Sequence, residues 1–244
     1  MTHDLQFGGA SFRIVADAAL YWPEYRALLV ADLHLEKASS YAMEGQMLPP
    51  YDSLDTLSRL ASLAEKAGAA SVISLGDNFH DDGGEARLSG DASRLLRTMT
   101  SKYRWIWITG NHDPGLEALA GGETHGELEK GGIILRHEAV PGWQGAEISG
   151  HFHPKLRINV ARRHVARRCF VRCSVGGASK LILPAFGALT GGMDAGEAAL
   201  IAEPRLSQEG EAKALVALKQ KLVRFSLETR IKPDSTGQAH QIYP

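Results

Sequence analysis

Residues 26–34 read RALLVADLH, in which a compact apolar run is followed directly by two polar side chains, Asp32 and His34. An apolar run this short that ends at a charged residue is typical of a buried β-strand. In open α/β sheets, ligands bind in the crevice beyond the carboxyl ends of the strands. The stretch therefore predicts a central strand with Asp32 and His34 at the functional edge of a sheet.

The segments around this strand alternate between strand and helix patterns. The elements predicted before Gly131 are a hairpin, two further strands and two helices, at Phe12–Val15 and Ala19–Trp22, Ser71–Leu75 and Arg104–Ile108, and Ser53–Lys66 and Ala86–Ser101. The first helix has leucines at helical spacing, with Asp52 placed to cap its start and Gly68 placed to stop it. This order predicts right-handed βαβ crossovers and a parallel or mixed sheet.

After Gly131 the pattern changes to short strands separated by Gly, Pro and Asn. They are predicted at Gly132–Arg136, Gly145–Ser149, Arg168–Cys173, Lys180–Leu183 and Ala198–Ala202. Because the chain has 244 residues, near the upper end of single-domain size, we expect one α/β domain over residues 1–244. Its last dozen residues are polar and are expected to be mobile.

Composition excludes several classes of protein. Hydrophobic residues make up 44% of the chain and charged residues 23%, which excludes disorder and fibrous folds. No apolar run approaches the ~20 residues of a membrane helix, and the amino terminus lacks a basic leader and an apolar signal core. We therefore expect a cytoplasmic protein without membrane contact. Cys169 and Cys173 form no disulfide framework or zinc ribbon and are expected to be free thiols.

Polar clusters follow five predicted strand ends in succession. They are Asp32-Leu33-His34, Gly76-Asp77-Asn78-Phe79-His80, Gly110-Asn111-His112-Asp113, His137, and Gly150-His151-Phe152-His153. On extended chain, alternate side chains share a face, so both members of a D-x-H or H-x-H pair can reach one site. Each motif alone is weak, because such residues are common in turns. All five in this order predict one shared metal site.

The residue types indicate divalent transition metals. Carboxylate oxygen together with imidazole nitrogen favours Mn, Fe or Zn, whereas Mg and Ca prefer oxygen ligands alone. The candidate ligands are too many for one ion and fit two: Asp32, His34, Asp77, Asn111, His137, His151 and His153. Two ions about 3.5–4 Å apart can clamp both the attacking and the leaving oxygen of a phosphoester displacement. Asp77, central in the order, is the best candidate for a bridging ligand.

At these residues the chain resembles the calcineurin-like metallophosphoesterase superfamily, whose blocks run D-x-H, G-D-x, G-N-H-[DE], H and G-H-x-H. All five blocks are intact between about Ala27 and His153. The resemblance implies a two-sheet β-sandwich flanked by helices (α/β/β/α), with metals at the carboxyl-end rim. It implies one metal held by Asp32, His34, Asp77 and His153, and a second held by Asp77, Asn111, His137 and His151.

The same resemblance implies catalytic roles for Asp77 and His112. Asp77 would bridge the ions, a bridging hydroxide would attack the phosphodiester, and His112 would contact the scissile phosphate and assist the leaving group. Two positions depart from the common pattern: His137 stands in Arg-His-Glu, and His80 occupies a place often filled by another residue. His80 is interpreted as lining the ligands, facing the substrate or merely structural, and is not counted as a ligand.

A narrower resemblance is to the ligase-associated DNA damage response endonuclease (PdeM-like) family. It is carried by residues 33–37, 76–80, 135–138 and 150–154 and by the block LPAFGALTGG at 183–192. It implies a Mn²⁺-dependent phosphodiesterase or DNA endonuclease that works with a DNA ligase and a helicase. The loop Pro184–Gly192 either brings backbone amides to a phosphate or is a tight turn that packs Phe186 into the core.

Positive charge is concentrated after the last motif. Between Ile148 and Met193 there are eight Lys or Arg residues and no Asp or Glu, on a chain whose net charge is −1. Such a segment indicates an anionic partner or, alternatively, a solvated face. Because it begins directly after His153, we expect Arg157, Arg162 and Arg163 to meet single-stranded or gapped DNA passing the metals.

Two other functions remain open at this level. A small-substrate pyrophosphohydrolase acting on nucleotides or UDP-lipids would share all five blocks, although no apolar helical lid is evident in the sequence. A non-catalytic scaffold with a relic metal site is the third possibility, but such scaffolds lose ligands or the histidine of G-N-H, and here none is missing. The basic segment and the block at 183–192 favour DNA.

Overall fold

The computed structural model describes residues 2–160 and 162–227. The final dozen residues, predicted to be mobile, lie outside this range. The strands are β1 (Thr2–Phe7), β2 (Ala10–Val15), β3 (Ala19–Trp22), β4 (Ala27–Val30), β5 (Ser71–Leu75), β6 (Arg104–Ile108), β7 (Glu123–His125), β8 (Glu127–Lys130), β9 (Ile133–Arg136), β10 (Gly145–Ser149), β11 (Lys155–Val160), β12 (Arg163–Arg168), β13 (Phe170–Val175), β14 (Ala178–Ile182), β15 (Glu211–Ala217) and β16 (Leu222–Ser226). The helices are α1 (Lys37–Met43), α2 (Asp52–Ala67), α3 (Gly84–Arg87), α4 (Gly90–Lys102) and α5 (Ala195–Ala202), with 3₁₀ turns at Pro23–Tyr25 and Pro204–Ser207.

Two mixed sheets of seven strands each form the centre of the molecule. The first has the order β1-β2-β3-β4-β5-β6-β7, in which β4 to β7 run parallel and β1 to β4 pair antiparallel. The second has the order β16-β15-β13-β14-β10-β9-β8, with β9, β10 and β14 parallel. Strands β11 and β12 form a separate antiparallel hairpin.

The sheets pack face to face, and helices cover their outer faces. The inner core joins side chains of the first sheet, such as Leu29 and Ile73, to side chains of the second, such as Ile148 and Leu181. Helices α2 and α4 cover the first sheet, and α5 covers the second. The α/β/β/α sandwich predicted from the resemblance is therefore confirmed.

Several predicted elements have the expected bounds. Strands β5, β6 and β10 match the sequence prediction, and the first hairpin forms from β2 and β3. Helix α2 buries Leu57 and Leu60 against the first sheet, with Leu54 partly buried beside them. Its end is also as predicted, because Gly68 adopts the left-handed conformation that closes a helix.

The predicted strand Ala198–Ala202 is wrong, because this segment belongs to helix α5. Asp194 accepts a hydrogen bond from the Gly196 amide at 2.9 Å and caps the helix. The alanines of this segment are fully buried against the second sheet. A short alanine-rich run does not distinguish a buried strand from a buried helix by periodicity.

Two details of the predicted helices also differ. The helix expected over Ala86–Ser101 is divided into α3 and α4, because Ser89 caps a new helix by accepting a bond from the Ala92 amide. Asp52 does not cap α2. It is the first residue of that helix, and its carboxylate accepts a hydrogen bond from the Ala38 amide at 3.1 Å, which ties α1 to α2.

Lys180 lies inside the second sheet rather than on a basic surface. It is 1% exposed, and its Nζ donates to Glu147 Oε1 and to the Val140 carbonyl, each at 2.5 Å. The Glu203 carboxylate is 3.9 Å away. Lys180 therefore neutralises buried acid and is excluded from the anion-binding segment expected from charge counting. In the described chain no helix combines the length and the hydropathy needed to cross a bilayer.

Candidate metal centre

The five motifs lie at the carboxyl ends of five strands drawn from both sheets. Asp32, Asp77 and Asn111 follow β4, β5 and β6 of the first sheet, whereas His137 and His151 follow β9 and β10 of the second. Because the sheets pack face to face, these two groups of loops meet at one rim. The structure brings all seven predicted ligands together there, and their role as ligands stays a prediction.

The ligand turns are not extended, contrary to the expectation for D-x-H and H-x-H. The residues with left-handed backbone are Asp32 (φ 53°), His34 (φ 43°), Asp77 (φ 47°), His151 (φ 70°) and His153 (φ 47°). Non-glycine residues rarely adopt this backbone conformation, and the surrounding structure must hold them in it. Here the first two turns hold each other, because the His34 amide donates to the Asp77 carbonyl at 2.9 Å and the Asp32 amide to the Gly76 carbonyl at 3.2 Å.

The motif glycines are explained by close approach. A Cβ on Gly76 would overlap the His137 ring, and a Cβ on Gly110 would overlap the backbone and carboxylate of Asp77. A Cβ on Gly150 would come within 2.7 Å of the Asp32 carboxylate. The glycines therefore allow ligands from neighbouring strands to approach one another.

The first group of ligands contains Asp32, His34, Asp77 and His153. The Nε2 atoms of His34 and His153 are 3.2 Å apart. The His34 Nε2 atom is 3.6 Å from Asp77 Oδ2, and the His153 Nε2 atom is 3.5 Å from Asp32 Oδ1. One donor atom from each residue lies within 4.8 Å of all the others, so one ion can reach all four.

The second group contains Asp77, Asn111, His137 and His151. The His137 Nδ1 atom lies 3.1 Å from the Leu75 carbonyl, which can only accept a hydrogen bond, so Nδ1 is the donor and Nε2 is the nitrogen available to a metal ion. That Nε2 atom is 2.9 Å from Asn111 Oδ1, 3.3 Å from Asp77 Oδ1 and 3.0 Å from His151 Nδ1. Asp77 is common to both groups, as a bridging ligand must be.

The charge balance of the site fits divalent cations. Asp32 and Asp77 are 0% and 2% exposed, and within the described residues neither pairs with Lys or Arg. Buried carboxylates require cationic partners. Burial, reinforced by neighbouring His153, lowers the pKa of His34 to about 2, and burial also lowers the pKa of His151. Both shifts favour the neutral imidazole of His34 and His151, which is the form that binds metal.

His112 lies beside the ligands and is oriented by two hydrogen bonds. Its amide donates to Asp77 Oδ1 at 3.0 Å, and its Nδ1 atom faces the His80 carbonyl at 2.9 Å. Since a carbonyl only accepts, Nδ1 carries the proton, and Nε2 is directed toward the site. The ring is partly exposed, as a substrate-contacting group needs to be.

His80 lies closer to the site than its sequence position alone could indicate. Its ring stacks on His112 with centroids 5.0 Å apart and contacts His34 at 5.6 Å. The rings of His34, His80 and His112 each offer a nitrogen to a third cluster. Tyr41 of α1 covers the other face of His80 at 5.6 Å, so this histidine joins the ligands to the rim of the site.

Asp113 is a functional position that the sequence reasoning left without a role. It is fully buried, and Oδ2 accepts from the Asn78 amide, the Asn78 side chain and the Phe79 amide at 2.8–3.2 Å. Oδ1 accepts from the Gly110 amide at 2.9 Å. Burial raises the pKa of Asp113. Asp113 ties the Asp77 turn to the Asn111 turn, and the fourth residue of Gly-Asn-His-Asp was the available signal.

The basic segment forms the hairpin of β11 and β12 beside the His153 turn. Arg162 and Arg163 are exposed at its tip. Arg157 is exposed as well, but its Nη2 donates to the Gly192 carbonyl at 2.9 Å. Arg168 is partly buried, which excludes the alternative of a wholly solvated face, and it donates to the Gly187 carbonyl at 2.7 Å. Backbone carbonyls replace the acidic partners that the local sequence lacks.

Solved structures similar to this chain include a nuclease and a phosphoesterase. No curated protein sequence matches the chain significantly. The crystal structure of Pseudomonas putida nuclease MPE matches with 28% identity and a TM-score of 0.64, over 88% of this chain and 96% of that chain. The E. coli phosphoesterase Yfce matches with 14% identity and a TM-score of 0.40, over 82% and 98%. The nuclease match supports the narrower resemblance as well.

The family itself is identified by sequence. The model of the calcineurin-like phosphoesterases matches residues 25–159, which is more than half of the chain and includes all five motifs. The two-sheet architecture and the grouping of Asp, Asn and His at one rim agree with that match. The chain therefore belongs to the calcineurin-like phosphoesterases and is a metal-dependent phosphoesterase.

Proposed function

We propose that this protein is a dinuclear phosphodiesterase that cuts DNA, with Mn²⁺ in both sites. The observation that carries the proposal is the convergence of the seven ligands beside an exposed basic hairpin. One group of ligands offers Asp32, His34, Asp77 and His153, and the other offers Asp77, Asn111, His137 and His151. Mixed oxygen and nitrogen donors suit Mn, and they also accommodate Fe or Zn.

When bound, two such ions polarise the phosphoryl oxygens and make water nucleophilic at neutral pH. The side chains around them perform the remaining tasks. Asp77 links the two sites, and its Oδ1 also accepts the His112 amide, which fixes the His112 ring relative to the ligands. The Nε2 atom of His112 contacts the scissile phosphate and, when protonated, donates to the leaving oxygen.

The DNA passes along the rim that joins the metal centre to the β11–β12 hairpin. Arg162 and Arg163 at the hairpin tip contact backbone phosphates, with Arg157 at its base. Contacts of this kind are independent of sequence and depend on salt. The proposed DNA substrate is single-stranded or gapped. The DNA ligase and helicase partners, which the resemblance implies, belong to the same proposal. So does the cytoplasmic location, which was expected from composition.

The test is an activity panel on purified protein with Mn²⁺. The substrates are labelled single-stranded, duplex and gapped DNA, bis(p-nitrophenyl) phosphate, and UDP-linked pyrophosphates, with Asp77→Asn as the inactive control. We expect cleavage of single-stranded or gapped DNA together with the aryl diester. Cleavage of UDP-linked substrates alone would overturn the DNA proposal, and bound metal without turnover on any substrate would identify a scaffold.

One observation favours the pyrophosphohydrolase alternative enough to keep it in that panel. The end of α1 and its connection to α2 expose three large apolar side chains, at 65% for Met43, 84% for Met47 and 71% for Tyr51. This segment follows directly from the helix that carries Tyr41 to His80. It is a loop rather than the helical lid that a lipid substrate would favour. Cleavage of a UDP-linked lipid that is lost in Met47→Ser would support this alternative.

A further inference from the structure

We infer that the loop Pro184–Gly192 positions the ligands of one metal site by joining the two turns that carry them. The inference rests on the ligand assignment in the proposed function. The loop follows β14 and lies between the Asp32–His34 turn and the His151–His153 turn. Neither of the two interpretations made from sequence includes this role, because it depends on what the loop contacts.

The first half of the loop is bonded to the Asp32–His34 turn. The Phe186 amide donates to the Ala31 carbonyl at 2.8 Å, and the Gly187 amide donates to the Asp32 carbonyl at 3.1 Å. Gly187 lies so close to Leu33 that a Cβ would overlap the Leu33 carbonyl oxygen. Because Asp32 and its neighbouring ligand have left-handed backbone, external bonds of this kind are needed to hold the turn.

The second half of the loop is packed on the His151–His153 turn. A Cβ on Gly192 would lie 2.5 Å from the His153 carbonyl oxygen. Directly after the loop, the Met193 amide donates to the Phe152 carbonyl at 3.4 Å, and the Lys155 amide donates to the Met193 carbonyl at 2.8 Å. The loop therefore contacts one turn near its start and the other turn at its end, in both cases through backbone atoms.

The outer side of the loop is held by cationic side chains of the hairpin. Arg168 donates to the Gly187 carbonyl at 2.7 Å, and Lys155 Nζ donates to the Thr190 carbonyl at 3.2 Å. On the inner side, Phe186 is 1% exposed, and the Arg59 guanidinium lies 4.8 Å from its ring centroid. Side chains of the hairpin and of α2 therefore also hold the loop in place.

The two turns supply Asp32, His34 and His153, which are three of the four ligands proposed for one metal site. The ligands particular to the other site are Asn111, His137 and His151. The first two are held instead by the Asp113 network and the Leu75 carbonyl, and only His151 belongs to a turn that the loop contacts. Disturbing the loop should therefore weaken one site more than the other. A residue that merely supports the fold would weaken both sites equally or neither.

Substitution of the two close-approach glycines tests this role, with a third glycine as a matched control. Gly187→Ala and Gly192→Ala push the loop away from the turns, whereas Gly191→Ala adds a methyl group where nothing lies within 4 Å. The measurement is Mn²⁺ binding to the full chain by calorimetry and by electron paramagnetic resonance. We expect one of two binding events to weaken by about 10- to 100-fold and the spectrum of coupled ions to become that of an isolated ion.

Gly191→Ala should bind two ions as the wild type does. Arg168→Gln, which removes the bond to the Gly187 carbonyl without adding bulk, serves if either alanine variant fails to fold, and it should weaken the same binding event. Unchanged binding of two ions in folded Gly187→Ala and Arg168→Gln would overturn the inference and leave the proposed function standing. A wild type that binds no Mn²⁺ pair would instead refute the proposed function itself.

Discussion

At the scale of single residues, the candidate metal ligands have an unfavourable backbone conformation. Non-glycine residues in sparsely populated regions cost about 1–3 kcal/mol each, and Asp32, His34, Asp77, His151 and His153 are all of this kind. The cost is offset by backbone hydrogen bonds between the turns. Backbone strain of this kind concentrates at functional sites, which agrees with a site shaped for metal rather than for stability.

Asp77 should decide whether the centre holds two ions. It is the carboxylate shared by both ligand groups, so Asp77→Asn should lose metal from both, whereas Asn111→Ala should mainly weaken one. Metal content after gel filtration in Mn²⁺, measured by atomic spectroscopy, distinguishes these results. Two tightly bound ions in Asp77→Asn would show that the bridge has been assigned to the wrong residue.

His112 should separate chemistry from metal binding. It is not one of the seven candidate ligands, so the metals should not depend on it. A positioned acid or charge stabiliser contributes a factor of about 10²–10⁴ to the rate. His112→Ala should therefore keep its metals and lose turnover on DNA by about that factor. Kinetics on DNA, with metal content measured in the same preparation, test this. Near-wild-type turnover with both metals present would exclude the role.

The buried histidines should make the metal-free protein sensitive to acid. The pKa of His34 is lowered to about 2, chiefly by burial, so the unfolded chain takes up a proton at mildly acidic pH that the folded chain does not. The free energy of unfolding should then fall as pH decreases below the usual histidine pKa of about 6.5, by up to about 1.4 kcal/mol per pH unit for this group. Urea denaturation of chelated protein between about pH 7 and pH 5 measures the slope. His34→Gln should have a shallower slope, and equal slopes would contradict the prediction.

At the scale of elements, the β11–β12 hairpin combines two roles that sequence alone could not separate. Arg168 and Lys155, near its base, bind carbonyls of the loop Pro184–Gly192, whereas Arg162 and Arg163 at its tip face solvent. Burial lowers the pKa of Lys155 and of Arg168, in keeping with their interior position. The base of the hairpin therefore supports the site, and the tip is the part available to a substrate.

Removing the tip charges should affect DNA and spare small substrates. The double variant Arg162→Ala/Arg163→Ala should raise the KM for DNA and reduce the salt dependence of binding by up to about one counterion per lost phosphate contact. Hydrolysis of bis(p-nitrophenyl) phosphate, which cannot reach the tip, should hardly change. KM measurements on both substrates over a salt series test this. Equal losses on the two substrates would mean that these arginines support the fold instead.

At the scale of the whole molecule, we propose that residues 1–244 form a single domain, because the two sheets share one core. Trp22 of the first sheet and Ile148 of the second both belong to that core. Unfolding should therefore be one cooperative transition by circular dichroism and by tryptophan fluorescence. Ile148→Ala should lower the free energy of unfolding by about 2–5 kcal/mol, and the two methods should report the same decrease. Two separated transitions would show that the sheets fold independently.

Elements with strong local patterns could be predicted from the sequence alone. The ends of strands β5, β6 and β10 could be predicted correctly because a motif glycine, at 76, 110 or 150, follows each strand within two residues. The end of α2 at Gly68 was equally local, because one residue supplies the left-handed cap. The residue types and order of the motifs predict the candidate ligands, and the family that the motifs indicate is confirmed by the match to residues 25–159.

Features that depend on contacts between distant segments could be established only from the tertiary structure. The left-handed turns of Asp32 and His153 are stabilised by strands and a loop far away in the chain, so no local pattern predicts them. The alanines of α5 could equally have formed a strand until the Asp194 cap and the second sheet selected a helix. Lys180 was counted as a surface charge, although its partner Glu147 lies on a neighbouring strand. Local periodicity reports which side of an element is buried, whereas the identity of what buries it is set by packing between segments that the sequence does not place side by side.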